Sequence, residues 1–287
     1  LRDTQQSATH AVLLLLAGMT LDDKLLLGPA PVTSATQLFN KLNAACPDLA
    51  GLLSVTRNDI ADLEGLFHSI RNELKFGGLT FEMLAALYRK VLARKGDQHS
   101  ESLRVTPLLL ARKVLDIIPL EDMRPEDRTI LDPCCGSGAM LLAAQERLLA
   151  IPDMRRVSEH TAFIENHVFG TDKQLVAAFT TSVALLAFGL PNQGQVSISV
   201  HDTTSRTFEP SKRPSVVLAH PPAMKKDLDA FVERCAGWVA PGGFLGMILP
   251  FDYLTTRTVK SRAFLASYDC DLLEAWDFLG DSELGLR

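Results

Sequence analysis

The segment TILDPCCGSGAMLLAAQ, residues 129 to 145, constrains this chain more than any other. A short apolar run leads into Asp132-Pro133, glycines follow at Gly136 and Gly138, and a largely apolar stretch begins at Ala139. Asp-Pro starts a turn, and glycine tolerates the left-handed backbone that a sharp strand-to-helix reversal demands. A strand, a glycine-rich turn and a helix N-terminus in that order make a cradle for a small ligand, because the turn brings backbone N–H groups close to it. The GK[ST] sequence of a P-loop is missing, and Leu141 stands where the third glycine of a dinucleotide fingerprint belongs. ATP and NAD are therefore disfavoured ligands.

From Thr106 onward, short apolar runs alternate with helix-like stretches: TILD, AMLLAAQERLLA, HVFGTD, QLVAAFTTSVALLAFG, VSISVHD, SVVLAHPP, LDAFVERCAGWV and GGFLGMILP. Alternation of this kind predicts an α/β fold with a parallel sheet covered on both faces. Ligands bind such sheets at the carboxyl ends of the strands, near the point where strand order reverses. Three acids follow three of these runs directly, Asp132, Asp172 and Asp202, and each also has an ordinary reading as a turn or cap residue. Asp172 is placed to bridge the two hydroxyls of a ribose and Asp202 to accept from an exocyclic amine. A cluster of carboxylates in a pocket of low dielectric also suits a cationic ligand.

Residues 1 to 100 read differently. Apolar positions recur every three or four residues in TQLFNKLNAACPDLAGLL and FEMLAALYRKVLARK, which predicts a helical N-terminal domain. Ser34 with Gln37 forms a capping-box pattern. The polar stretch RKGDQHSES (94–102) predicts a boundary, with a second domain over 101–287. That domain opens with Thr106 as helix cap and Pro107 in the first helical position. The chain starts with Leu1 and stops after SELGLR, so it reads as a piece cut at both ends.

The longest apolar run, Ala11 to Met19, is nine residues, short of the roughly 20 that cross a bilayer, so it reads as a buried helix and no membrane partner is expected. The five cysteines form no C-x-x-C pair and no zinc spacing, which fits reduced thiols in the cytoplasm. Net charge is −5, and since residues 1 to 100 hold ten Lys and Arg against ten Asp and Glu, the remainder holds 19 against 24. Binding a polyanion then requires a local basic patch, such as Lys212-Arg213 or Lys225-Lys226, or a basic partner.

Taken together these pieces resemble one family. DPCCGSGAML is similar to motif I of the S-adenosylmethionine-dependent adenine-N6 DNA methyltransferases, especially the modification subunits of type I restriction-modification systems. LAALYRKVLARKG and TPLLLARKVLD resemble the segments that precede it, GTDKQ resembles motif II, VHDTT motif III and VVLAHPPA motif IV. PGGFLGMILPFDYL and KSRAFLASYDCDLLEAW resemble the later strands and the arginine-bearing helix, so the likeness runs from about Thr80 to the end. It implies a Rossmann-like methyltransferase fold behind the helical domain, with S-adenosylmethionine as cofactor and a flipped adenine in double-stranded DNA as substrate. Thr106 and the turn with Asp132, Gly136 and Gly138 would hold the cofactor's methionine end, Asp172 its ribose and Asp202 its adenine amine. Catalysis would fall to His220, Pro221 and Pro222, and a specificity subunit and a nuclease of a restriction or phage-defence system would be partners.

The sequence departs from the family in four places. Asp172 lies 40 residues after Asp132 instead of about 20, which AIPDMRRVSEHTAFIEN accounts for as an insertion. Val105 replaces an aromatic. In motif IV, His220 replaces the Asn whose oxygen accepts the adenine amine, and Ala223 replaces the aromatic that stacks on the flipped base. Stacking of that kind is worth about 1–3 kcal/mol. Three functions remain open: an active DNA methyltransferase in which His220 does the work of Asn, a methyltransferase-like binding or assembly subunit without adenine methylation, and a methyltransferase of protein or RNA. No target-recognition segment is legible before residue 287, so base reading is expected from a region further on or a separate subunit.

Overall fold

The apolar run at Ala11–Met19 lies inside the first helix, α1 (Arg2–Asp23), whose Leu14, Leu15, Met19 and Leu21 are all buried. A helix apolar on most of its circumference belongs in a core. A computed structural model of the chain describes residues 2–53, 55–92, 105–154, 157–189, 195–205, 207–221 and 228–250. Among these, no helix is long and apolar enough to cross a membrane.

Helices α2 (Ala35–Ala45), α3 (Pro47–Leu52), α4 (Arg57–Asp62), α5 (Glu64–Glu73) and α6 (Phe81–Leu92) follow, so among the described residues every element before residue 93 is helical. Ser34 caps α2 by accepting from the Gln37 N–H at 3.1 Å. The return half of the capping box goes elsewhere, because the Gln37 side chain accepts from the Thr33 N–H and hydroxyl instead. At the other end of α1, Asp22 pairs with Lys41 and Arg71, and Asp23 pairs with Arg71, which ties α1 to α2 and α5.

The second half of the chain builds a sheet of β1 (Ile130–Asp132), β2 (Val168–Asp172), β3 (Ser197–Val200), β4 (Val216–Ala219) and β5 (Phe244–Met247). All neighbours are parallel and the order is β3-β2-β1-β4-β5. Strand order therefore reverses between β1 and β4, at the carboxyl ends that carry Asp132 and His220. The connecting helices are α7 (Leu108–Ile117), α8 (Ala139–Ala150), α9 (Val157–His167), α10 (Leu175–Ala184) and α11 (Leu228–Trp238), and a π turn (Leu185–Gly189) prolongs α10. Helix α9 occupies part of the extra length between Asp132 and Asp172 and runs straight into β2.

Alternation along the strands separates two cores. Ile130, Val168, Val216 and Leu218 face α7, α8 and the N-terminal helices in one continuous apolar cluster. Leu131, Val217 and Ala219 face Phe231, Cys235 and Trp238 of α11. Central β4 (VVLA) is buried at every position, the pattern of a parallel strand covered on both sides. On the α11 side of β2 and β3 a groove of about 470 Å³ is lined by Phe169, Thr171, Ser197, Ser199 and Phe208.

One sequence expectation changes at the start of α7. Pro107 is the cap residue and the helix begins at Leu108, while Thr106 makes no capping bond and turns its hydroxyl to another element.

Candidate functional site

The turn after β1 is shaped by its two glycines. Gly136 and Gly138 sit at φ +57° and +93°, in the left-handed region that other residues enter only with strain. Gly138 is also the cap of α8, and a Cβ there would lie 3.2 Å from Cα and Cγ2 of Thr181 in α10. At Gly136 the nearest atom to such a Cβ is Cys134 O, 3.8 Å away, so the outer side of the turn is open.

Neighbouring elements hold this turn on several sides. Asp172, at the end of β2, accepts from the Gly136 N–H at 3.1 Å and from the Gln174 N–H at 2.8 Å. The Thr181 hydroxyl donates to Gly136 O at 3.0 Å, and the Thr203 hydroxyl donates to Pro133 O at 2.9 Å. The Cys135 N–H donates to Thr171 O at 3.1 Å. Sequence reasoning did not single out Thr181 or Thr203. A signal existed for the former, since Thr180-Thr181-Ser182 interrupts an otherwise apolar helix with three buried hydroxyls.

Asp132 is buried and accepts from the Cys134 N–H at 3.0 Å. Burial first, and then the nearby Asp172 charge, push its carboxyl up to about 7. Burial likewise raises Asp172 above the usual carboxylate range, against the pull of its two backbone N–H donors. The Cys134 and Cys135 thiols are pushed up by burial and by Asp132, which keeps them protonated beside the carboxylates. Two carboxylates that burial discourages from ionising, beside an open glycine turn, suit a ligand that brings positive charge.

Asp202 differs from both. It is exposed, and its carboxylate accepts from the N–H and hydroxyl of Thr204, which hold it below the usual range. In chain register it lies close to Asp172, since Val200 pairs with Asp172 and the His201 N–H donates to Asp172 O.

On the other side of the reversal point, His220 and Pro221 follow β4 directly. His220 is half-buried, and its Nδ1 lies 2.8 Å from Oγ1 of Thr106. Thus Thr106, expected beside the glycine turn as a cofactor contact, has its hydroxyl on the motif IV histidine. Pro222 and Ala223 lie outside the described residues. The groove over β2 and β3 includes no residue of the 132–138 turn among its walls, so it is a separate feature.

Three comparisons bear on this arrangement. The type I restriction enzyme MjaVII methylase subunit of Methanocaldococcus jannaschii is 22% identical over 147 residues, which is 51% of this chain and 23% of that protein. The solved type IIG restriction endonuclease BpuSI is 18% identical with a TM-score of 0.57, over 91% of this chain and 33% of its own, which shows a shared fold. A type I restriction-modification methyltransferase subunit from Streptococcus thermophilus is 17% identical over 81% of this chain and 55% of its own, with a TM-score of 0.48. This chain therefore spans less than two thirds of each of these proteins. The family model described as N-6 DNA Methylase matches residues 82–234, from α6 through the glycine turn and His220 into α11, and so the chain belongs to the N-6 DNA methylase family.

Proposed function

We propose that the chain is an S-adenosylmethionine-binding, adenine-N6 DNA methyltransferase-like subunit of a restriction-modification or phage-defence assembly, working in the cytoplasm. The observation that carries this reading is the Asp172–Gly136 hydrogen bond, which joins the end of β2 to the glycine turn at the reversal point of the sheet. The residues fit the cofactor. S-adenosylmethionine carries an ammonium and a sulfonium, and Asp132 and Asp172 are buried carboxylates that a cation would stabilise in their charged form. When bound, the cofactor supplies the electrophilic methyl group.

In this reading Asp132, Gly136 and Gly138 shape the methionine end of the pocket, and Thr106 closes it from the segment just before α7. Asp172 approaches the ribose while holding the turn, and Asp202, at the open rim, approaches the adenine amine. His220 with Pro221 and Pro222 forms the edge that a flipped adenine would meet. Residues 1–100 form a helical domain for partner or DNA contact, and 101–287 form the cofactor domain. The net charge of −5 fits phosphate contact through a local basic patch or through partners, namely a specificity subunit and, in a restriction system, a nuclease.

A second reading, a binding or assembly subunit without adenine methylation, is favoured by His220, because an imidazole engaged by Thr106 is not the acceptor that an Asn carboxamide is. Calorimetry with S-adenosylmethionine tests the cofactor claim, and the absence of binding heat would sink it. Labelled methyl transfer to mixed-sequence DNA then separates the two readings: incorporation supports the first, and cofactor binding without incorporation supports the second.

A further inference from the structure

The connection between β3 and β4, residues 201–215, has no helix among its described residues, whereas α8 with α9, α10 and α11 span the other strand connections. Its sequence explains this, since Pro210 and Pro214 interrupt a polar stretch without helical apolar spacing. A parallel sheet is ordinarily covered by helices on both faces. Here, among the described residues, loop takes the place of a helix over the α11 side of β2 and β3, and the groove of about 470 Å³ lies there. That volume is within the range of about 300–1,000 Å³ of small-molecule sites. Strand alternation sends Phe169 and Thr171 to this face, and the register sets Ser197 and Ser199 directly opposite them.

Thr171 is 1% exposed and belongs to the wall of the groove, yet its hydroxyl has no hydrogen-bond partner among the described residues. A buried hydroxyl left so lowers stability, and such groups are rare enough to need a reason. The half-buried Ser199 hydroxyl stands opposite it. Each hydroxyl can donate and accept, so the pair matches an edge on which a donor sits beside an acceptor. Phe169 and Phe208 add aromatic rings to the walls, which suit a flat ring. The charged residues of the lining are Asp48, Glu165, Glu209 and Lys212, three acids to one base, and none of them is buried. That balance repels an anion, and the floor of rings and hydroxyls has no buried counter-charge for any ion. We propose that this groove is a second ligand site, separate from the glycine turn, for an uncharged planar heterocycle with a donor beside an acceptor on its edge, as in the lactam of a pyrimidine nucleoside. Phe169 and Phe208 hold the ring, and the hydroxyls of Thr171 and Ser199 pair with its edge.

Nuclear magnetic resonance of the full chain, labelled at threonine methyl groups and titrated with thymidine, tests this. Thr171→Val identifies the Thr171 signal by its loss. Thymidine should shift that signal with a dissociation constant below about 1 mM, as the size of the ligand allows. Thr171→Val keeps the shape and removes the hydroxyl, so calorimetry should show thymidine bound about fivefold or more weakly, with thermal stability no lower than that of the unmodified protein. Phe208→Ala should weaken binding by a similar factor, and it decides the matter should Thr171→Val not fold. Thymidine 5′-monophosphate should bind about threefold or more weakly than thymidine at low salt, which separates a free nucleoside from a base flanked by phosphates. No shift of Thr171, equal affinity of the unmodified protein and folded Thr171→Val, or equal or tighter binding of the monophosphate overturns the proposal. A dimer in sedimentation that Phe208→Ala abolishes assigns the face to a second copy of the chain and also overturns it. Excess S-adenosylmethionine should leave the thymidine affinity unchanged, and displacement would place thymidine in the cofactor site instead. The titration itself needs no cofactor, so a failure of cofactor binding leaves it unaffected and the two claims fall separately.

Discussion

Asp172 Oδ2 accepts from the backbone N–H of Gly136 at 3.1 Å, so a carboxylate at the end of β2 holds the turn at the end of β1. Asp172→Ala removes that bond and the one from Gln174. Cofactor affinity should fall by tenfold or more, the equivalent of about 1.4 kcal/mol. Asp172→Asn keeps an acceptor oxygen and should bind more tightly than Asp172→Ala but less tightly than the unmodified protein. Calorimetry with S-adenosylmethionine checks this order, and equal affinities for all three proteins would count against a role in the site.

Asp132 should make stability fall as pH rises. Its carboxyl is raised to about 7 in the folded chain from an ordinary 3.8, so between those values the folded state binds more protons than the unfolded one. Stability from this group is therefore greatest below about pH 4 and declines by up to roughly 1.4 kcal/mol per pH unit until about pH 7. Asp132→Asn should flatten urea-unfolding stability between pH 5 and 7 relative to the unmodified protein and raise it at pH 8. A parallel pH dependence in the two proteins would refute the assignment.

The same group predicts a proton signature of binding. A cationic ligand lowers the Asp132 carboxyl, so binding near pH 7 should release a fraction of a proton that Asp132→Asn does not release. Calorimetry in buffers of different ionisation enthalpy measures the difference.

Gly138→Ala should cost about 1–3 kcal/mol, because φ +93° strains a residue with a Cβ and that Cβ would press on Thr181 at 3.2 Å. Gly136→Ala, where the Cβ meets only Cys134 O at 3.8 Å, pays the backbone strain alone and should be the milder change. Denaturant midpoints for both variants test the order.

Arg128 is buried and donates to Leu120 O, Met123 O and both oxygens of Asp153. Arg128→Met should lose roughly 1–3 kcal/mol, because it takes the side-chain donor from Met123 O while Leu120 O keeps the Met123 N–H. Asp153→Ala, at a half-exposed partner, should lose no more than about 1 kcal/mol. Urea unfolding separates the two, and equal losses would place the energy in the ion pair instead.

His220→Asn combined with Ala223→Tyr should raise methyl incorporation into DNA at least tenfold if the pocket otherwise keeps the family's shape. Incorporation that stays at background while S-adenosylmethionine still binds would favour the assembly-subunit reading.

The sequence alone determined what depends on neighbours in the chain. A glycine turn between a strand and a helix is a local matter of backbone sterics, so Gly136 and Gly138 were legible in DPCCGSGAML, and their left-handed angles follow. Strand-and-helix alternation likewise specified a parallel sheet and put Asp132, Asp172 and His220 at strand ends. The tertiary structure alone decided what those side chains touch. Gln37 turned to Thr33 and not to Ser34, Asp172 found Gly136, Thr181 reached across from α10, and Thr106 gave up its cap position for His220. A hydroxyl or carboxylate can satisfy itself locally or at a distance with similar energy, and packing of the elements chooses between those partners. Periodicity records which face of an element is buried and carries no information about that choice.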